Sequence, residues 1–352
     1  MKKLKGIYIL GPAFFGQIYS AAERRDIERR VDIYAPLQSD ATLRANPGLL
    51  QSCEVVFSGW GAQLLDEQLL SHAPNLKLVL YAGGSARNHI SQGMWDRGII
   101  FSSAYAANAQ PVVEYTLGAI LFSLKHGWRY AREVKDKRQY PAKWQVPGAY
   151  GSVIGLVSMG MIARQLCDKL RLFDLRIIVY DPFLSRAEAE RLGVELVSLE
   201  ELFATADVVS LHSPELSETI GMIDGRLISS MKEGATMINT ARGSLVREDE
   251  MIEVVSRRPD LQMVLDVTKP EPPLPGSPLY TLPNIVLTPH IAGSLDAECR
   301  RMGRVMVEEL ERYVTGQPLK WEVTPELARD SSHRPNFMDS RELPKVKIAY
   351  TA

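Results

Sequence analysis

Arg242, Glu271 and His290 supply a guanidinium, a carboxylate and an imidazole, each placed just after a short apolar run, at 235–239, 263–267 and 285–288. Runs of this kind read as buried strands, and in an open parallel sheet ligands bind beyond the carboxyl ends of the strands. The spacing therefore predicts that the three side chains collect at one sheet edge. A guanidinium stays charged and presents a planar fork that grips a carboxylate or polarises a carbonyl. An imidazole titrates near neutral pH and can pass a proton to or from a reacting oxygen. A carboxylate paired with it favours the imidazolium and orients the nitrogen that carries the proton. Such a set binds an anionic substrate and moves a proton.

The elements that position these groups follow from the rest of the chain. Its 352 residues give room for two domains of ordinary size. With 41 basic and 42 acidic residues there is no excess of positive charge for nucleic acid or an anionic membrane. Cys53, Cys167 and Cys299 are scattered and odd in number, so neither a disulfide framework nor a thiolate metal site is expected, and a reducing cytoplasm fits best. The six histidines form no HExxH-type ligand pattern.

Lys2, Lys3 and Lys5 precede an uncharged stretch over 6–22, the outline of a signal peptide, but Gly11, Pro12, Gly16 and Gln17 interrupt it. It reads instead as a strand at 7–10, a Gly-Pro turn and a helix ending near Arg30. No run of about 18 apolar residues is present, so no membrane span is expected.

Strand-like runs at 7–10, 31–34, 55–58, 76–81 and 99–102 alternate with helix-length segments, which points to an α/β, flavodoxin-like unit. A helical pattern runs from Pro111 to about Arg138. A second alternating series has strands at 153–157, 176–180, 207–212, 235–239, 263–267 and 285–288, which amounts to a Rossmann-type sheet. A long helical pattern over 294–314 follows, with Met302, Val305, Met306, Leu310 and Tyr313 on its apolar side, and is expected to cross back to the first domain. From about Asp330 the chain is polar and reads as a surface-packed or partly disordered tail with a last apolar run at 346–350.

The second series opens with Gly155-Leu-Val-Ser158-Met-Gly160-Met-Ile-Ala163. A dinucleotide fingerprint, GxGxxG/A, places its first glycine at Ser158, its second at Gly160 and its last small residue at Ala163. Serine must hold the tight turn without glycine's freedom. Phosphate is expected on the first amides of the following helix, at Met161 and Ile162. Asp181, 21 residues after Gly160, ends the next strand, where a carboxylate receives the ribose hydroxyls of NAD and repels the 2′-phosphate of NADP.

The segment Ile238-Asn-Thr-Ala-Arg242-Gly-Ser-Leu-Val246, with Leu265-Asp266-Val-Thr-Lys-Pro-Glu271-Pro and Thr288-Pro-His290-Ile-Ala-Gly293, resembles the D-isomer-specific 2-hydroxyacid dehydrogenase family. Asn108-Ala-Gln-Pro-Val-Val-Glu-Tyr-Thr116 fits the same family, and the resemblance runs from about residue 50 to 320. Two positions depart from it: Ser158, and Asp174 where the family usually has glycine; aspartate tolerates a left-handed conformation better than most residues.

The resemblance implies a Rossmann-type NAD-binding domain (116–294) inserted into a flavodoxin-like substrate-binding domain (1–115 with 295–330), followed by a tail (331–352). It implies an active site in the interdomain cleft, a homodimer formed through the cofactor domain with Trp128-Arg-Tyr130 as a candidate contact, and interconversion of a 2-keto acid and a D-2-hydroxy acid. Arg242, Glu271 and His290 are then catalytic, with His290 as general acid and base. Fingerprint and resemblance together put NAD against Ser158, Gly160, Met161, Ile162, Asp181, His212, Thr240 and Asp266. The strand-end loop Tyr81-Ala-Gly83-Gly84-Ser85 can cradle an anion on its amides, and the resemblance assigns Gly83, Gly84 and Ser85, with Asn108, to the substrate.

Within this fold a formate dehydrogenase is disfavoured, because that branch pairs its histidine with glutamine and formate oxidation has no proton to manage, whereas this chain has Glu271. A phosphoglycerate enzyme is a weaker alternative, since Ser58-Gly-Trp-Gly-Ala62 lacks basic residues for a phosphate; Trp60 and Tyr81 suit a less charged substrate tail. A different class remains open: an NAD-sensing, corepressor-like protein that keeps the trio. Six prolines between 270 and 283 stiffen the loop that carries Glu271.

Overall fold

The computed structural model describes residues 2–63, 65–143, 146–329, 331 and 333. The expected final run at 346–350, like most of the tail, lies outside them. The described chain divides into two compact units, one made of residues up to Ala109 together with those from Ser294, the other of Gln110–Gly293. The second unit is thus inserted in the first, with divisions at 109/110 and 293/294 where the sequence suggested 115/116 and 294/295.

The first unit is a parallel sheet of β1 (Leu4–Ile9), β2 (Val31–Ile33), β3 (Val55–Gly59), β4 (Leu78–Ala82) and β5 (Ile100–Ser103), in the order β2-β1-β3-β4-β5. This is the flavodoxin-like order. Strands β3 and β4 are buried at every position, as strands covered on both faces must be, which is why they read as largely apolar runs, Ser58 being the polar exception in β3. The apolar side predicted for 294–314 is real: in the helix Cys299–Val314, Met302, Met306 and Leu310 are fully buried against β1, β3 and β4. The helix expected up to Arg30 is instead two short ones, Pro12–Ile18 and Ala21–Glu28, the second capped by Ser20, whose hydroxyl accepts from the Ala22 amide at 3.2 Å.

The second unit begins within α1 (Tyr105–Ser123) and continues through α2 (Gly127–Lys137) and α3 (Met161–Leu170). One helix was expected over 111–138; His126 breaks it by taking φ +50°. The sheet contains β6 (Val153–Val157), β7 (Arg176–Tyr180), β8 (Glu195–Leu196), β9 (Val208–Leu211), β10 (Thr236–Asn239), β11 (Gln262–Leu265) and β12 (Ile285–Leu287). Its order is β12-β11-β10-β9-β6-β7-β8, all parallel. The six expected strands are present; β8, two residues long at the edge, was not foreseen. The order reverses between β6 and β9, the switch point beyond which a doubly wound sheet binds dinucleotide. Asp174 is not among the described residues with positive φ, so the expected left-handed turn there is absent and glycine is not required.

Candidate active site

Arg242, Glu271 and His290 follow the three adjacent strands β10, β11 and β12, so the sheet brings all three to its carboxyl edge. His290 and Glu271 meet directly, Nδ1 to Oε1 at 2.6 Å. Their side chains are 48% and 43% exposed, so the pair sits at a surface where the second imidazole nitrogen can meet a ligand. Arg242 is exposed, and its guanidinium donates to the neighbouring Ala241 carbonyl at 2.6 Å. Among the described residues it has no carboxylate partner, which leaves its fork available to an anion.

The turn that carries His290 is built on Asp266, which is 2% exposed at the end of β11. One carboxylate oxygen accepts from the Thr288 hydroxyl at 2.6 Å and the Ile291 amide at 2.9 Å; the other accepts from the Ala292 amide at 2.9 Å. The His290 amide donates to the Asp266 carbonyl at 3.0 Å, holding the histidine at φ +55°. That conformation costs about 1–3 kcal/mol for a residue other than glycine and persists only where its surroundings impose it. Because the Thr288 hydroxyl donates to Asp266, the Tyr115 hydroxyl, 2.8 Å away, is the donor to Thr288. Burial raises the Tyr115 pKa, keeping that proton in place. Asp266, expected at the nicotinamide, is therefore found bracing the turn that carries His290.

The Arg242 turn has its own brace. Asn239 is 1% exposed; its Oδ1 accepts from the Ala241 amide at 3.0 Å and its Nδ2 donates to the Arg242 carbonyl at 2.9 Å. Gly243 then passes so close to the β11 loop that a Cβ would lie 2.1 Å from the Thr268 carbonyl carbon. No side chain fits there. The same loop is tied by the Thr268 hydroxyl to the Pro270 carbonyl at 2.8 Å and by the Tyr280 hydroxyl to the Pro273 carbonyl at 3.0 Å, which anchors the segment carrying Glu271.

At the switch point, Ser158 occupies φ +77°, the left-handed turn for which glycine would be preferred. Three contacts hold it: its amide donates to the Tyr180 carbonyl at 2.7 Å, the Ser213 hydroxyl donates to its hydroxyl at 3.1 Å, and the following Met159 amide donates to Asp181 at 2.7 Å. The other Asp181 oxygen accepts from the Phe183 amide at 2.8 Å, so this carboxylate shapes the turn as well as ending β7. Gly160 caps α3 in extended conformation, and nothing lies within 4 Å of where its Cβ would be. That open space, beside the free amides at Met161 and Ile162 and the positive helix end, fits a pyrophosphate. Ala163 is fully buried beneath it.

His212, past the end of β9, lies 3.0 Å from the Ser210 hydroxyl, and burial pushes its pKa down to about 4, so the imidazole is neutral. Thr240 is 8% exposed and its hydroxyl lies 3.3 Å from that of the buried Thr116. The residues expected around the cofactor thus follow the carboxyl ends of β6, β7, β9, β10 and β11 in one sheet.

In the first unit, the loop after β4 is set from below. Tyr81 is 3% exposed, and its ring would lie 2.4 Å from a Cβ on Gly83. Tyr81 is thus a core support, not the substrate-tail contact suggested by the sequence. The Ser103 hydroxyl is within 3.1 Å of the Gly83 carbonyl and 2.8 Å of the Gly84 carbonyl. The Ser85 hydroxyl accepts from the Arg87 amide at 3.3 Å. Asn108 lies against Gly84, its Nδ2 3.0 Å from where a Cβ would be, while its Oδ1 accepts from the Ser294 amide at 3.1 Å.

Asn239, Thr288, Tyr115, Gly243 and Ser103 were not singled out from the sequence. Only Asn239 carried a signal, as an asparagine at a strand end able to bond the backbone two residues on; the others depend on what the fold places opposite them. Among the described residues, no group of His, Cys, Asp or Glu is placed to hold a metal ion, and no helix is long and apolar enough to cross a membrane.

Residues 117–292 match the NAD binding domain of the D-isomer specific 2-hydroxyacid dehydrogenases. The chain is 31% identical over 244 residues to a hydroxypyruvate reductase of Thermotoga maritima, covering 69% of this chain and 79% of that protein. It is 30% identical over 256 residues to a D-3-phosphoglycerate dehydrogenase of Archaeoglobus fulgidus, covering 73% of this chain and 49% of the relative. The chain thus spans about half the length of the first curated relatives it matches. The fold is shared with the apo D-mandelate dehydrogenase of Rhodotorula graminis, at a TM-score of 0.76 and 21% identity over 92% of this chain and 98% of that one. A strand-turn-helix built for NAD, in a matched domain that also carries Arg242, Glu271 and His290, makes this chain a member of the D-isomer specific 2-hydroxyacid dehydrogenase family.

Proposed function

We propose that the protein interconverts a 2-keto acid and a D-2-hydroxy acid, with His290 as general acid in reduction and general base in oxidation. The observation that carries this reading is the 2.6 Å contact between His290 Nδ1 and Glu271 Oε1. Glu271 occupies Nδ1, so the proton to be exchanged with substrate resides on Nε2. NAD, when bound, supplies or accepts the hydride. As negative charge grows on the substrate oxygen, His290 donates its Nε2 proton to it and Glu271 stabilises the imidazolium from behind. Acid-base assistance of this kind contributes about 10²–10⁴-fold. Arg242 holds the substrate carboxylate or polarises its carbonyl. The amides around Gly83, Gly84 and Ser85 take up the carboxylate, and Asn108, packed against Gly84, contacts the substrate beside them.

Asp181 favours NAD over NADP, since a carboxylate beside the ribose repels a 2′-phosphate. A homodimer and a cytoplasmic site of action belong to the same reading. Support for the first is Phe122, 43% exposed and edge-to-face with Trp128 on the second unit. Support for the second is that Cys53, Cys167 and Cys299 are unpaired and buried.

The test is turnover of NADH with glyoxylate, hydroxypyruvate, 3-phosphohydroxypyruvate, pyruvate and bulkier 2-keto acids. His290→Gln and Arg242→Ala should each remove most activity and leave NADH binding nearly intact. Full turnover after either change would overturn the role of the residue replaced. NADH binding without turnover of any keto acid would favour an NAD-sensing protein instead.

A further inference from the structure

The residues after helix Cys299–Val314 return to the first unit's sheet and reach the loop after β4. The Ser103 amide donates to the Trp321 carbonyl at 3.1 Å and the Val323 amide to the Phe101 carbonyl at 2.8 Å, so this segment lies antiparallel along β5, the outermost strand, and covers its edge. Buried Glu309 fixes its start, accepting from the Lys320 and Trp321 amides at 3.0 Å each and from the Ser102 hydroxyl at 2.8 Å. After the short helix Pro325–Arg329, whose Ala328 is fully buried, the chain delivers His333 into the unit at 3% exposure. There the imidazole packs edge-on against Tyr105 at 4.6 Å, and Tyr105 packs against Trp321 at 5.5 Å. His333 Nδ1 accepts a hydrogen bond from the Ala86 amide at 3.0 Å.

We infer that His333 is a positioning residue for substrate binding: it anchors the far side of the loop whose near side is anchored by Ser103. This rests on the reading that Gly84 and Ser85 receive the substrate carboxylate. Ser103 holds the carbonyls of Gly83 and Gly84, and His333 holds the amide of Ala86. The two anchors bracket Gly84 and Ser85. Amides that bind an anion must be oriented before it arrives, or ordering the loop detracts from affinity. Burial pushes the His333 pKa down to about 4, which keeps Nδ1 an acceptor at neutral pH. Nothing in the sequence motifs marks this histidine, because it lies outside every segment that resembles the family.

The experiment compares His333→Ala with His333→Asn, whose side-chain oxygen can stand where Nδ1 stands. Hydrogen exchange at the Ala86 amide, KM for the best keto acid, kcat and the NADH dissociation constant are read on the full chain. For His333→Ala we expect faster exchange at Ala86, KM raised about tenfold, kcat changed much less and NADH binding unchanged. His333→Asn should restore most of the exchange protection and of KM. Unchanged exchange in His333→Ala would overturn the anchor. Faster exchange with unchanged KM would overturn its link to substrate, and with it the assignment of Gly84 and Ser85. The roles of Arg242 and His290 would then stand or fall on their own variants. A fall in NADH affinity equal to the rise in KM would also overturn the inference, as the sign of a general loss of structure.

Discussion

Replacing Gly243 with alanine tests whether the Arg242 turn is positioned by close backbone packing. An added Cβ would lie 2.1 Å from the Thr268 carbonyl carbon, 2.2 Å from its oxygen and 2.6 Å from the Lys269 nitrogen. Carbon atoms settle at about 3.5 Å, so the two backbones must part by more than about 1 Å. Neither neighbour is a flexible side-chain end that could swing away. Such overpacking costs about 1–3 kcal/mol of stability. The displacement acts on both sides of the site, since Gly243 follows Arg242 and Thr268 begins the segment leading to Glu271. A misplacement near 1 Å can lower turnover by about 10²-fold. Gly243→Ala is therefore expected to fold with a lowered urea midpoint and to lose about 10²-fold in kcat/KM, while its NADH dissociation constant stays within about threefold of wild type. Denaturation, steady-state turnover and NADH fluorescence titration measure the three. Turnover within about threefold of wild type, with an unshifted midpoint, would refute the packing argument.

Glu271→Gln keeps a hydrogen-bonding group beside His290 but removes the charge that stabilises the imidazolium; kcat should fall about 10- to 100-fold, measured with saturating keto acid. Asp181→Ala removes the acceptor of the Met159 and Phe183 amides and the charge that repels a 2′-phosphate. Its ratio of kcat/KM for NADH over NADPH should drop at least about tenfold. Burial holds His89, His212 and His333 at about 4, below their ordinary 6.5. All three are neutral in both states above 6.5, where their contribution to stability is complete. As pH falls from 6.5 toward 4 the unfolded chain takes up protons that the folded chain refuses, and each histidine removes up to about 1.4 kcal/mol per pH unit. Urea unfolding at a series of pH values should show this decline; a flat profile across that window would contradict the buried, neutral assignment.

Strands buried on both faces were legible because apolar residues dominate them: Val153–Val157 carries no polar side chain and Val208–Leu211 only the small Ser210, and both are buried throughout. That Arg242, Glu271 and His290 fall together was legible for a related reason, since polar groups that close such runs lie at one edge of the sheet. What the sequence did not reveal depends on contacts between distant segments. Glu195–Leu196 is a strand because it pairs with β7, since two residues carry no periodicity of their own. The break at His126 follows from a left-handed residue that a sequence pattern does not display. Asp266 has the position of a cofactor contact, yet its oxygens hold the His290 turn, a use visible only once Thr288, Ile291 and Ala292 are placed around it. Ser158 departs from the fingerprint but adopts the glycine conformation, with Ser213 supplying a hydrogen bond across the switch point.

Proton transfer by His290 under the guidance of Glu271 is tested most directly by keto-acid reduction in wild type and His290→Gln, followed through NADH consumption. Wild type should turn over at least one 2-keto acid. The variant should be slower by about 10²–10⁴-fold while binding NADH within about threefold of wild type. A variant that reduces the same keto acid at the wild-type rate would show that the proton comes from elsewhere and contradict the mechanism.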